Sequence, residues 1–379
     1  MNRIPFLLSV LASVILAIVA WRVEGRDHLW AVVIGIAAGV VLYNASFGFT
    51  AGWRNIVLNR RGRGLRAQML LIGLIVVVAY PVIAEGGAFG QDVRGYILPL
   101  GVASALGAFV FGIGMQLGSG CASGTLFTAG GGSSRMMLVL IFFIAGSVWA
   151  TAHWDFWTTL PRTRSGISLI RLLGWQGAVA VMLAAVSAIW WISVRVERSA
   201  HGSLQTDRGT SVWSIWAGAV GLAVVALAFL LVLGRPWGIT YGFAVWGAQA
   251  ADMAGLQPTD WTYWAGWRRG NVEGGILSSA TNASNLGIIA GAMVAAAFAG
   301  RWSPVWSLTK REVLTAVIGG LMMGYGARLA YGCNIGAYLG GLTSGSLHGV
   351  WWLIWGFAGS FIGVELRVRL GMDPRPARA

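Results

Sequence analysis

The stretch FGIGMQLGSGCASGTLFTAGGGSS, residues 111–134, returns later in the chain as MGYGARLAYGCNIGAYLGGLTSGS, residues 323–346. Laid beneath each other, the two match at Gly112 with Gly324, Gly114 with Gly326, Leu117 with Leu329, Gly120 with Gly332, Cys121 with Cys333, Gly124 with Gly336 and Ser134 with Ser346. Each begins in a run apolar enough for a membrane-crossing helix and is then broken by glycine around a single cysteine. Glycine lets a helix stop without steric cost and leaves backbone N–H groups open to a ligand. Non-helical backbone at membrane depth is tolerated only inside protein or beside a polar cavity. The pair therefore predicts a duplicated membrane unit with a re-entrant break in each copy.

The rest of the chain agrees with that reading. Of 379 residues, 56% are apolar and 11% charged, which excludes an ordinary soluble domain and a disordered one. The net charge of +14 sits in short clusters between apolar runs, as topology-setting arginines do, so no nucleic-acid partner is expected. Runs of about 20 apolar residues fall at 4–21, 29–47, 67–84, 96–116, 135–152, 174–194, 212–233, 281–299, 312–330 and 349–366. Shorter glycine-broken pieces at 47–59, 121–131, 235–255 and 333–341 read as half-helices. FGFTAGW at 47–53 is faintly echoed by YGFAVWG at 241–247. The expected fold class is all-α: a polytopic membrane protein of about ten transmembrane helices plus short re-entrant half-helices, in two pseudo-symmetric inverted repeats. The expected division is an N-terminal helix over 1–28, a first repeat over 29–173, a connecting helix and loop over 174–211, a second repeat over 212–370 and a tail over 371–379. The run Ile4 to Trp21 has no convincing small-residue cleavage site after it and reads as a retained helix. Arginine bias, including Arg54, Arg135, Arg208, Arg367, Arg375 and Arg378, places both termini in the cytoplasm.

The chemistry gathers at the two breaks. Cys121 and Cys333 are the whole cysteine stock of the chain. Their positions make no disulfide framework, and no CxxC pair or His/Cys cluster suggests a metal. A buried thiol stays neutral, is polarizable and donates a weak S–H bond. It can therefore touch a soft anion without repelling it. A helix restarting after each break turns a partly positive N-terminus toward the ligand. Arg328, five residues before Cys333, is the basic residue inside the predicted spans, and its repeat partner is the neutral Gln116. An arginine at that depth is costly and reads as an anion recruiter, with structural pairing as the plain alternative. Ser119, Ser123, Tyr331 and Asn334 offer further polar lining beside Gly120 and Gly332, although small polar residues also serve helix packing. GGGSS at 130–134 lacks the GK[ST] ending of a phosphate loop.

Taken with FGFTAGWRN, RRGRGLRAQM and GRPWGITYGFAVWGA, the two cysteine motifs closely resemble the YeeE/YedE family of bacterial inner-membrane sulfur-transport proteins, over roughly residues 30 to 370. The resemblance implies import of a small sulfur-containing anion, thiosulfate above all, by relay through Cys121 and Cys333 at a central constriction. It implies neither a cofactor nor a catalytic residue, and it implies a small TusA-like sulfur-carrier protein as a possible partner in trans. Some family members carry another cysteine in the first broken segment, where this chain has Gly48 and Thr50. The alternative is a membrane sulfurtransferase, or a selenium- or sulfur-handling subunit, that passes sulfur to such a carrier.

Overall fold

The computed structural model describes residues 1–206, 211–304 and 306–374. Arg208, Arg375 and Arg378, counted above in the charge bias, and the last residues of the expected tail lie outside them. Among the described residues, ten helical stretches are long and apolar enough to cross a membrane. In chain order the helices are α1 (Arg3–Glu24), α2 (Arg26–Ala45), α3 (Phe49–Asn59), α4 (Arg63–Glu85), α5 (Val102–Gly118), α6 (Ala122–Gly130), α7 (Ser134–Ala152) and the short α8 (Trp154–Thr158). They continue as α9 (Leu169–His201), α10 (Ile215–Leu233), α11 (Thr240–Met253), the short α12 (Arg269–Glu273), α13 (Ala280–Phe298) and α14 (Lys310–Leu329). A π-helical turn (Asn334–Leu339), α15 (Gly340–Thr343) and α16 (Leu347–Arg369) complete the order. The one sheet among the described residues is a hairpin of two short strands, Gly87–Ala88 and Gln91–Asp92. Starts are set by capping side chains: Ser133, Ser168 and Ser214 accept first-turn N–H groups, and Thr309 with Glu312 forms a capping box at α14.

The packing list maps onto itself when α2, α3, α4, α5 and α7 are exchanged with α10, α11, α13, α14 and α16. Helix α2 packs on α13 as α10 packs on α4, and α5 packs on α16 as α14 packs on α7. The outlying helices obey the same exchange, with α1 against α13 and α9 against α4. The matched glycines of the sequence now have a reason. A Cβ on Gly112 would come within 2.2 Å of Gly356 O, and one on Gly324 within 2.2 Å of Phe143 O. Gly114 and Gly326 do the same work between α5 and α14, with a Cβ 2.8 Å from Met323 N and 2.5 Å from Gly107 O respectively. Small residues let backbones touch, which drives helix association where lipid removes the hydrophobic force. Large apolar side chains such as Leu7, Leu11, Leu172 and Ile192 remain exposed on α1 and α9, on the surface a bilayer would cover.

Both termini lie at one face. Asn2 donates to Ala297 O in the last turn of α13 and to Trp302 O beyond it, while Arg311, opening α14, donates to Leu370 O and Gly371 O after α16.

Three expectations are corrected. Residues 96–101 are not helical: Pro99 holds Leu98 extended, and the segment crosses the far face with Tyr96 N bonded to Ser344 Oγ at 2.9 Å. The span expected to start at 174 starts at Leu169, and Gly174 is a break within α9, at φ 67°. Arg328 is not alone in burial, since Arg66 and Arg367 are as deeply buried at 3% and 5% exposure. Both sit one residue beyond the apolar runs 67–84 and 349–366, in helix ends that carry charge.

Candidate functional site

Each break is built by the same backbone. Helix α5 ends at Gly118, Ser119 takes the left-handed conformation at φ 66°, and Cys121 becomes the extended N-cap of α6. Helix α14 ends at Leu329, Tyr331 is left-handed at φ 61°, and Cys333 caps the π-turn. A left-handed tyrosine is strained by roughly 1–2 kcal/mol, and such strain gathers at functional segments. Gly332, at φ 155° and with a built Cβ only 2.9 Å from Ala337 N, has room for no side chain.

At the first break Thr125 donates both its N–H and its hydroxyl to Cys121 O, at 2.7 and 2.9 Å. The Cys121 Sγ lies 3.4 Å from Ser123 Oγ. At the second, Ala337 N and Tyr338 N share Cys333 O at 2.9 and 3.2 Å, the wide turn of a π-helix, a form frequent at functional sites.

The two cysteine segments approach from opposite faces. After α6 the chain reaches Gly132, which abuts Ser303 and Pro304 at the terminal face. After α15 it reaches Ser344 and Ser346 beneath residues 96–98 at the other. Between them α6 touches the π-turn, and the two thiols are within electrostatic reach of each other. Neither faces lipid or solvent, at 1% exposure for Cys121 and 0% for Cys333.

The surroundings are largely aromatic. Tyr338 stacks on Trp352 at 6.0 Å and meets the edges of Phe49 and Trp53, both at 5.9 Å. Within this wall, several polar atoms have no hydrogen-bond partner in the protein. Asn334, fully buried next to Cys333, leaves both amide atoms free, and Tyr338 Oη and Thr50 Oγ1 are also free. Gln116 uses Nε2 on Thr50 O (3.2 Å) and Ser360 Oγ (2.7 Å) but leaves Oε1 unpaired. Buried polar groups are nearly always paired, so a cluster of orphans marks a place made for something else. A cavity of about 10 Å³ flanks Ile335, Leu339 and Trp237, whose indole N–H is another orphan; that volume holds one water at most.

The remaining expected residues divide. Gly120 makes only ordinary contacts, its built Cβ 3.5 Å from Met136 Sδ. Ser119 is held by Arg135 and Arg367, at 2.8 and 2.7 Å. Tyr331 lines a small cavity with Arg162 and lies edge-on to His348 at 5.5 Å. Arg328 turns to the rings of Tyr241 and Tyr263, at 6.0 and 5.5 Å, with Nη1 unpartnered. It stands at the Cys333 break, while Gln116, its repeat counterpart, stands at the Cys121 break. Sequence reasoning missed Tyr338, whose role shows only once the π-turn brings it against Trp53, and Asn282 and Asn285, whose Oδ1 atoms are orphans at the start of α11.

The family model described as "Sulphur transport" matches residues 44–362. The chain is 27% identical over 327 residues to a protein of Spirochaeta thermophila named thiosulfate transporter TsuA, covering 82% of this chain and 89% of that one. It is 24% identical over 327 residues to the Escherichia coli protein of the same name, covering 80% and 84%. A third relative, the Escherichia coli probable transporter YedE, is 28% identical over 153 residues, covering 40% of this chain and 37% of its own.

Proposed function

The chain belongs to the sulphur-transport family, and from that premise we propose that it imports a small sulfur-containing anion, thiosulfate above all, across a bacterial inner membrane. Two relatives that span most of its length carry the name thiosulfate transporter. The observation that supports passage through the breaks is Asn334: a fully buried amide with no partner, adjoining Cys333 in a turn that touches α6, the helix that Cys121 caps. The arginine bias supports both termini in the cytoplasm, so the Cys333 break serves the entry side and the Cys121 break the exit side.

Thiosulfate carries a soft terminal sulfur and a hard sulfonate. In this reading the thiols donate S–H bonds to the anion as it passes, the N-terminal ends of α6 and of the π-turn offset its charge, and Asn334 fixes its orientation. No covalent bond to sulfur forms. Successive weak contacts favour release over retention, as conduction requires. Arg328 recruits the anion at the entry side. A small TusA-like carrier in trans is the proposed acceptor, supported by the family resemblance alone.

The test is uptake of labelled thiosulfate into proteoliposomes, with and without a pH gradient. Cys121→Ala and Cys333→Ala are each expected to abolish uptake while the protein still inserts and purifies. Wild-type uptake in both variants would overturn the relay. A stable added sulfur on either cysteine after thiosulfate exposure, read by mass spectrometry, would instead favour the sulfurtransferase.

A further inference from the structure

Two guanidinium groups clasp the break between α5 and α6 on the side of the termini, and a third lies near them. Arg135, in the first turn of α7, donates to Ser119 Oγ (2.8 Å), Leu117 O (3.0 Å) and Thr315 Oγ1 (3.2 Å). Arg367, in the last turn of α16, donates to Gln116 O (2.6 Å) and to the same Ser119 Oγ (2.7 Å). Arg54, from α3, lies within electrostatic range of both. Its Nη1 is buried without a partner, as is Nε of Arg135.

Two carboxylates face this group. Glu312 is committed to the Thr309 cap at 2.9 Å. Asp373 takes Nε and Nη2 of Arg367 with its two oxygens, the second at 3.1 Å. It reaches them because the chain reverses after α16. Met372 N bonds to Arg367 O (2.9 Å) and Gly371 N to Val368 O (3.1 Å), with Gly371 left-handed at φ 65°; this is a Schellman turn, which glycine alone makes freely. Arg311 pins the turn through Leu370 O and Gly371 O.

Capping the last carbonyls of α5 would need one cation. Three, with two nitrogens left over and one carboxylate docked in two-pronged fashion, make an oxyanion site with its own occupant, since paired N–H groups of arginine fit two oxygens of a carboxylate or of a sulfonate alike. We propose that Arg54, Arg135 and Arg367 form a second oxyanion station behind Cys121, and that Asp373 closes it as a built-in stand-in for the transported anion. The station deepens the transport reading and rests on it for the identity of the cargo. An anion leaving the neutral thiols gains two-pronged contacts there by displacing Asp373, which frees the tail turn toward the cytoplasm.

The test pairs equilibrium binding of sodium thiosulfate to the detergent-purified full chain, against sodium chloride at equal ionic strength, with uptake by the same preparations in proteoliposomes. Asp373→Asn removes the competing charge and is expected to tighten thiosulfate binding roughly tenfold, the weight of one charge-assisted contact. Adding Arg54→Gln cancels the gain, whereas adding Arg54→Lys keeps most of it and shows that the doubly substituted protein folds. Wild-type affinity in Asp373→Asn, or a gain that survives Arg54→Gln, overturns the station whether or not the protein transports. Absence of wild-type uptake together with an Arg54-dependent gain overturns the cargo assignment and leaves the station in place.

Discussion

Replacing Asn334 with alanine sets function against stability in a way that ordinary packing cannot imitate. Truncating a fully buried side chain usually costs a folded protein a few kcal/mol, because a void replaces good contacts. Asn334 starts from a deficit, since neither its Oδ1 nor its Nδ2 has a hydrogen-bond partner. Stranding such a group costs about 1–3 kcal/mol. The void left by removing the carboxamide costs on the order of 1 kcal/mol. The balance runs from roughly no change to a gain of about 2 kcal/mol. The expected result is therefore a variant at least as resistant to heat as the parent, yet unable to take up thiosulfate. Thermal unfolding in detergent and proteoliposome uptake on one preparation read both quantities. A clear loss of stability would show that the amide is engaged by the protein itself, and uptake at the parental rate would show that the cargo never meets it.

Glu197, fully buried, binds Arg66 at 2.7 Å and Arg61 at 3.3 Å and accepts Gly62 N and Gln205 N. Glu197→Gln strands Arg66 and is expected to lower stability by about 3–5 kcal/mol, measured by thermal unfolding, with uptake per folded molecule unchanged. Gly324→Val is expected to abolish folded protein in the membrane fraction, because its first side-chain carbon already falls 2.2 Å from Phe143 O. The Arg367 guanidinium holds the Asp373 carboxyl below its ordinary value of 3.8. A depressed acid stabilises the fold above that value and loses its effect as the pH falls through the folded one. The stability difference between the parent and Asp373→Asn should thus be flat from about pH 8 to 5 and shrink only below about pH 4; a difference already changing near neutrality would contradict the pairing.

Much of the architecture was readable because membrane helices announce themselves by length and composition, and because Gly112, Gly114 and Cys121 each had a counterpart in the second motif. The break points were readable for the same reason. What escaped was local or long-range. Pro99 kept residues 96–101 out of a helix that their apolar character suggested. Arg66 and Arg367 looked like loop charges because hydropathy stops at the first ionised group, whether or not the helix does. Their burial depends on partners far along the chain, Glu197 for Arg66 and Gln116 and Ser119 for Arg367. Tyr338 joined the site through a π-turn, whose extra residue per turn changes which side chains share a face and leaves no mark in a pattern of apolar spacing.

The contacts between α5 and α16, and between α14 and α7, have a mechanical consequence. Each half of the duplicated unit supplies a wall of the other, fastened where one backbone rests directly on its neighbour with no side chain to act as a bearing. Tilting whole halves against each other would drive carbonyl oxygens into α-carbons within the first ångström of travel. The frame is therefore stiff at its seams, and in the transport reading proposed above any movement falls to the pieces it encloses, the two short hooks at the cysteines and the turn after α16.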